Sequence, residues 1–437
     1  MSLRMRSSVW LFLLSLFVGT TGAAVQAQTA PVQPAPNSAA PASAAPISTA
    51  DTAAGQNQTV ARCGKGWLEL VNGYHVLHLK GTHYEMGYQH GALLKEHCKE
   101  NLNFLLKGKG EQALELGPIT IRPRQYIDGI VRGQKKHMPK KYFDEMEGLA
   151  AASGMPVKDI QAGNFIPELF HCSGFAVMNS ATKDGTLYHG RVLDYAIDGG
   201  LQDHAVLIVA EPDGGIPFAN VTYAGFIGSV TGMNASHVSI GEMGGGGQGH
   251  WQGMPMAFLV REVLEAAPDL ESAIDVFRKH PRTCQYFYVI ADGKTNQAVG
   301  MEASWDVLTI VRPGEAHPLL PTAVPDAVLL STGDRYKELV KRAKNNFGKF
   351  DAESATHLMD CPVAMKSNLH NALFEPKSTK LWIANATKDK KPAADQPYHA
   401  FQLSELLQRK PDPKSPELPL PGRPVAVKAD PMNVSAK

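Results

Sequence analysis

Apolar side chains recur at helical spacing from Tyr84 to Leu106, with Gly87 and Gly91 on one face, which predicts a helix packed closely against another. The same period returns from Tyr126 to Ala152 and stops at Ser153-Gly154, and Pro156 to Ala162 predicts a short third helix. The part of the chain before Cys172 therefore reads as mostly helical. After it the period shortens. His204 to Ala210, Pro217 to Tyr223 and Val238 to Glu242 read as strands separated by Gly and Pro turns. Helices are predicted over Pro255 to Ala267 and Leu270 to Lys279, with Pro268-Asp269 as break and cap, and strands over Gln285 to Ala291, Ala298 to Ala303 and Val307 to Val311. A helix from Asp334 to Phe347 and a hairpin through Leu369 to Phe374 and Lys380 to Ala384 follow. Helical pairs interleaved with antiparallel strands predict an α+β fold in layers.

Outside this patterned stretch the texture is different. Met1 to Arg6 is basic, Val9 to Val18 is apolar and Val25-Gln26-Ala27 supplies small residues, so residues 1–27 read as a secretory signal peptide. The apolar run is short of the ~20 residues that a spanning helix needs, and no later segment is long and apolar enough to span. Residues 28–60, rich in Ala, Pro, Ser, Thr and Gln, read as a disordered linker, and residues 411–437 as a Pro-rich disordered tail. The expected destination is secreted or periplasmic. About 350 residues remain for one folded unit, comprising a helical segment 61–171 and a segment 172–410. The chain balances 43 Lys+Arg against 42 Asp+Glu, which argues against nucleic acid as a partner. Five cysteines in an exported chain allow two disulfides with one left over. If Cys172 is the odd one, Cys63, Cys98, Cys284 and Cys361 permit three connectivities, and five free thiols are also permitted.

The strongest candidate chemistry surrounds Cys172. Phe175 to Met178 is apolar, Asp184-Gly185 is a turn signal, and Leu187 to Arg191 resumes an extended pattern. A hairpin of that length returns Arg191 and Asp194 toward Cys172. A thiol nucleophile acts as thiolate, and a neighbouring guanidinium lowers its pKa toward neutrality, with Asp194 free to orient the cation or a nearby amine. Spacing alone equally allows a small buried hydrophobe at Cys172 and an ordinary ion pair at the strand end.

The run His171-Cys172-Ser173-Gly174 with His189-Gly190-Arg191-Val192-Leu193-Asp194 resembles the catalytic start of N-terminal-nucleophile cysteine hydrolases. Within that group it is most similar to the isopenicillin N acyltransferase-like family, and it is related to acid ceramidase and N-acylethanolamine acid amidase. Val221 to Gly228, Thr231 to Asn234 and Ser239 to Glu242 resemble a second block of the group. Gly81 to Gly91 resembles the opening of the acyltransferase-type members, and Arg261 to Ala266, Pro281 to Thr283 and Ser367 to Asn371 resemble their later segments. The likeness spans roughly residues 65 to 405.

The resemblance implies a four-layer αββα sandwich and self-cleavage between His171 and Cys172. It makes Cys172 the nucleophile, its new α-amine (pKa roughly 7.7 to 8.0) the general base, Arg191 the stabiliser of thiolate or oxyanion and Asp194 the partner of the amine. Glu242 is expected to pair with an arginine or bind the leaving amine, or else to cap the glycine loop behind it. Arg335 matches a late Arg of the family, or else pairs with Asp334 at a helix start. Where relatives carry an Asn before that Arg, this chain has Leu330-Ser331-Thr332-Gly333. The oxyanion donor then falls to Asn234, Asn368 or a backbone N–H. The implied substrate is a small-molecule acyl amide, with no cofactor and no metal.

Other patterns carry less. Gly244, Gly246 and Gly249 fit a dinucleotide-type spacing, but a poly-Gly run satisfies almost any such pattern, and a rim loop with His250-Trp251 along it is the simpler reading. The pairs His75/His78 and His83/His90 lack the context of a zinc motif. Two rival functions stay open: an uncleaved papain-like hydrolase pairing Cys172 with His189 or His370, and a catalytically silent binding protein on the same scaffold.

Overall fold

The computed structural model describes residues 58–109, 114–116, 119–121, 123–165, 171–195, 197, 199–245 and 250–423. The expected signal peptide and nearly all of the expected linker lie outside these residues. Two sheets face each other. The larger runs, from edge to edge, through Leu308–Val311, Gln297–Ala303, Tyr286–Asp292, Val238–Gly244, Thr231–Asn234, Phe218–Tyr223, Ala205–Pro212, Tyr74–Gly81, Gly66–Val71, Gln58–Cys63 and Glu417–Leu418. Its pairing is antiparallel except where Tyr74–Gly81 meets Ala205–Pro212 and where Gln58–Cys63 meets Glu417–Leu418. The smaller runs Ala327–Leu330, His171–Asn179, Gly185–Asp194, Asn368–Glu375, Lys380–Asn385 and His399–Gln402, all antiparallel.

Period-2 alternation lets each sheet bury both faces. Val76, Leu207, Val209 and Val221 of the larger sheet pack between the sheets against Ala372, Phe374 and Ile383 of the smaller. The opposite face of the larger sheet, with Leu77, Ile208, Ile240 and Ile290, is covered by Met86, Leu149, Phe258 and Leu264 from helices. The smaller sheet is covered by Leu339, Val340 and Ala343 of helix Gly333–Asn345. The fold is thus α+β, in the order helices, sheet, sheet, helices.

Helices His83–Leu93 and Lys140–Ser153 meet as the glycine face predicts. A Cβ at Gly87 would lie 1.9 Å from the Glu145 carbonyl oxygen, and one at Gly148 would lie 2.1 Å from that of Tyr84. Neither position has room for alanine. Helix Leu270–Lys279 has the predicted bounds, with Asp269 accepting from the Ser272 N–H as its cap.

Three expectations need correction. The region before Cys172 holds more helix than strand, as expected, but it is not helical throughout, because Gln58–Cys63, Gly66–Val71 and Tyr74–Gly81 are strands. Trp67, Leu68, Val76 and Leu77 are buried, so in Gly66–Val71 and Tyr74–Gly81 burial on both faces erases the alternation that would have marked them, whereas Gln58–Cys63 is mostly part-exposed. The continuous helix expected over 126–152 is two, Pro123–Gln134 and Lys140–Ser153, because Pro139 holds Met138 extended (ψ 133°). The described part of the expected tail, 411–423, runs against the edge of the larger sheet, although most of its side chains are exposed. Glu417–Leu418 adds to the edge strand Gln58–Cys63, and Arg62 donates through Nη2 to the Pro413 carbonyl at 3.0 Å. An unpaired edge offers the N–H and C=O groups that such a segment needs. Finally, Cys63, Cys98, Cys172, Cys284 and Cys361 are all free thiols, so none of the three connectivities is formed.

Candidate active site

The hairpin His171–Asn179 and Gly185–Asp194 sets the site by register. Gly174 faces Arg191, Cys172 faces Leu193 and His171 faces Asp194 across the two strands. Strand pleating then sends alternate residues to opposite sides. Cys172 and Arg191 face the larger sheet, where the Arg191 side chain lies along Gly241. A Cβ on Gly241 would fall 2.6 Å from Arg191 Cγ, so glycine makes the space. Ser173 and Asp194 face helix Gly333–Asn345 and its Arg335.

On the first side, Arg191 Nη2 lies 3.4 Å from Cys172 Sγ and 3.3 Å from Glu242 Oε2, and Arg191 Nε donates to the Glu242 carbonyl at 3.0 Å. Arg191 is fully buried. Its Nη1 is left without a hydrogen-bond partner among the described residues. A buried guanidinium with a spare donor is costly unless something else occupies it. Glu242 pairs with Arg191, and most of the glycine loop behind it lies outside the described residues. Burial pushes its carboxyl up to about 7 against the pull of Arg191.

On the second side, Arg335 Nη2 reaches Asp194 Oδ2 at 2.6 Å and Ser173 Oγ at 2.5 Å, while Nε donates to the Val363 carbonyl at 2.8 Å. Asp194 Oδ1 accepts from the Met365 N–H at 2.9 Å. Burial raises Asp194 to about 6, with Arg335 opposing. Asp334, the alternative partner for Arg335, pairs with Lys337. Two guanidiniums and two carboxylates therefore bracket Cys172, Arg191–Glu242 on one side and Arg335–Asp194 on the other.

The thiol itself departs from expectation. Cys172 is 4% exposed, and burial pushes it up to about 12 although Arg191 pulls it down. A guanidinium contact in the uncleaved chain is thus outweighed by desolvation and by the nearby Glu242 and Asp194. The group is a protonated thiol at neutral pH.

Asn234 is not brought to this cluster. Its Nδ2 donates to the Leu264 and Ala267 carbonyls at 3.2 and 2.8 Å, and its Oδ1 accepts from the Ser236 and Val238 N–H groups, so it ties a turn to a helix end. Asn368 lies beside the site, donating to the Leu193 carbonyl at 3.1 Å. Neither histidine of the papain-like reading bonds to the thiol. His189 is held by Ser239, and His370 by Tyr223 and Thr231. Gly246 and Gly249 lie outside the described residues, and His250 stacks on Trp305 at 4.6 Å between centroids. Sequence reading missed Ser331, whose hydroxyl is 2.7 Å from Ser173 Oγ. It also missed a cavity beside Leu193, lined among others by Leu105, Tyr223, Phe226, Val230 and Leu369. These residues come from four separate stretches of chain, so no local pattern marks them.

One grouping has the composition of a metal site. His83, Glu145 and Glu265 converge, yet Arg261 reaches Glu265 at 2.6 Å and Glu145 at 3.0 Å, and Lys141 reaches Glu265 at 2.8 Å. Two side-chain cations already neutralise the carboxylates there.

Residues 180–318 match the protein family described as acyl-coenzyme A:6-aminopenicillanic acid acyl-transferase. The match begins after Cys172 and ends before Arg335, and it contains Arg191, Asp194, Asn234 and Glu242. Protein dcd1B of Dictyostelium discoideum is 26% identical over 344 residues, covering 71% of this chain and 68% of that protein. The N-acylethanolamine-hydrolyzing acid amidase of Caenorhabditis elegans is 23% identical over 214 residues, covering 40% of this chain and 59% of that protein. A solved structure of a Caenorhabditis elegans ortholog of that amidase aligns with a TM-score of 0.40 and 17% identity, covering 53% of this chain and all of that one.

Proposed function

From the premise that this chain belongs to the N-terminal-nucleophile-hydrolase-like family of acyltransferases and acid amidases, we propose that it is an exported, self-processing cysteine amidohydrolase acting on linear acyl amides. The observation that carries the reading is the Arg191 Nη2 to Cys172 Sγ contact of 3.4 Å, at the start of a strand whose partner ends on Asp194.

In the precursor, the Cys172 thiol attacks the His171 carbonyl carbon. The peptide C–N bond breaks, its nitrogen takes up the proton as the α-amine of Cys172, and water hydrolyses the resulting thioester to leave His171 as a carboxylate. The mature cysteine carries its own base. Its α-amine takes the thiol proton as sulfur attacks a substrate carbonyl, and returns a proton to the departing amine. Water then releases the acyl group. Arg191, with a donor to spare, stabilises thiolate and developing oxyanion, while Asp194, anchored by Arg335, holds the new ammonium. Cleavage also ends the burial that keeps the precursor thiol protonated. Hydrolysis is favoured over transfer because an exported enzyme meets water and no obvious acyl-CoA supply.

Intact mass after export tests the processing step. The unaltered chain should give two fragments, the smaller ending at His171, and Cys172→Ala a single one with turnover at background. The substrate test is a panel of N-acyl amino acids, N-acylethanolamines, penicillins and short peptides. A single unbroken chain that turns these over, or turnover surviving in Cys172→Ala, overturns the proposal.

A further inference from the structure

Three histidines far apart in sequence meet close to the turn that carries the cavity-lining residue Leu201. His75 lies on strand Tyr74–Gly81, His97 on helix Lys95–Asn103 and His204 on the 3-10 turn Leu201–His204. His97 Nδ1 and His204 Nδ1 are 3.1 Å apart, and the His97 ring stands edge-on to both His75 and His204 with centroids 5.3 Å away in each case. All three are half-buried, so an ion in solution can reach them. The reaction proposed above uses none of them.

We propose that His75, His97 and His204 form a binding site for a divalent transition-metal ion of the zinc class. Two nitrogens each about 2.0–2.1 Å from one zinc ion, at the tetrahedral angle, stand about 3.3 Å apart. The two Nδ1 atoms already hold nearly that separation. In the ion-free state one ring donates its proton to the other. When an ion enters, that proton moves to Nε2 of the same ring, and both Nδ1 lone pairs turn to the metal with no change in net protonation. The ring nitrogens of His75 do not converge with those two in this structure, so His75 joins the set only when its side chain rotates, and water fills the fourth position. Imidazole is a ligand for zinc, copper, nickel and iron, whereas magnesium and calcium prefer oxygen. Glu100 and Asp203, which act on His204, supply the negative potential that a dication needs.

The site has a structural consequence. Leu201, on the same turn as His204, lines the cavity, and the His204 carbonyl accepts from the Ala224 N–H at 2.9 Å, next to cavity-lining Tyr223. A bound ion ties helix Lys95–Asn103 to this turn and so fastens one wall of the cavity.

The test uses the full exported chain without a polyhistidine tag, carrying Cys361→Ser so that the exposed thiol does not compete. Titration with zinc chloride against a chromophoric chelator reads affinity and stoichiometry, and cobalt(II) visible bands read the ligand set. One equivalent is expected. His97→Gln, His204→Gln and His75→Gln should each weaken binding about tenfold or more. The unaltered chain should gain thermal stability with zinc and lose the gain on chelation, and His204→Gln should show no gain while its zinc-free unfolding stays cooperative. Absence of a saturable equivalent, or unchanged zinc affinity in the His97→Gln/His204→Gln double variant, overturns the site. Unchanged affinity in His75→Gln overturns the three-ligand assignment. Because binding is read directly, these outcomes do not depend on whether the chain cleaves itself or turns over amides.

Discussion

Two buried charge clusters occupy the two halves of this molecule, and they are built to opposite ends. In the helical layer Arg261 spends its donors fully: Nε on Glu265 at 2.6 Å, Nη1 on the Ile227 carbonyl at 2.6 Å and Nη2 on Glu145 at 3.0 Å. Burial pushes Glu265 up, but Arg261, His83 and Lys141 together more than offset it and hold the carboxyl well below the ordinary range. In the hairpin Arg191 keeps one donor unpartnered among the described residues, and Glu242 and Asp194 both stand raised, at about 7 and about 6. A satisfied network holds charge in one arrangement. A partly satisfied one, with carboxyls that titrate near neutrality, is where protons are expected to move.

Arg261→Ala should expose that difference most strongly. It leaves Glu145 and Glu265 buried without their main cation, and breaking such a pair costs about 3–5 kcal/mol. Urea unfolding of the Cys172→Ala precursor, which stays in one piece under the proposed function, measures it. A loss below ~1 kcal/mol would erase the distinction between the clusters.

The pH dependence sharpens it next. Glu242 and Asp194 are raised in the fold, so the stability they contribute is complete below their unfolded values near pH 4 and is lost as pH climbs through about 6 and 7. Glu265 is lowered, and its contribution is constant over that window, whereas burial raises Glu145 beside it, which adds to the fall from that cluster. The urea midpoint of the same precursor should therefore fall between pH 5 and pH 8, by about 4 kcal/mol in free energy, and Glu242→Gln should flatten the slope. A slope that Glu242→Gln leaves unchanged would assign it elsewhere. Arg335→Lys is the mildest probe. A single ammonium cannot span Ser173, Asp194 and the Val363 carbonyl together, so about 1 kcal/mol of stability should go, with slower appearance of the two processing fragments.

The candidate site was legible where its spacing is local. An apolar strand, Asp184-Gly185 and a second extended run of matching length place Arg191 and Asp194 near Cys172 without reference to the rest of the chain. Asn234 shows the opposite case. It sits in a block that resembles the right family, but its side chain satisfies four backbone groups at a turn, a use that no one-dimensional pattern separates from ligand binding. Strands Gly66–Val71 and Tyr74–Gly81 were illegible for a third reason: buried on both faces, they lose the alternation that marks a half-exposed strand, and the helical signal after them dominates.

Turn chemistry, periodicity and the length of each apolar run thus determined, from sequence alone, most helices and strands and the return of the hairpin. Tertiary structure decided the rest. The Cys172 thiol is protonated because desolvation between two sheets outweighs a nearby guanidinium, and Arg335 meets Asp194 because a helix 141 residues onward in the chain packs across the smaller sheet. Burial and long-range contact are properties of the packed chain as a whole, and neighbours in sequence carry no record of them.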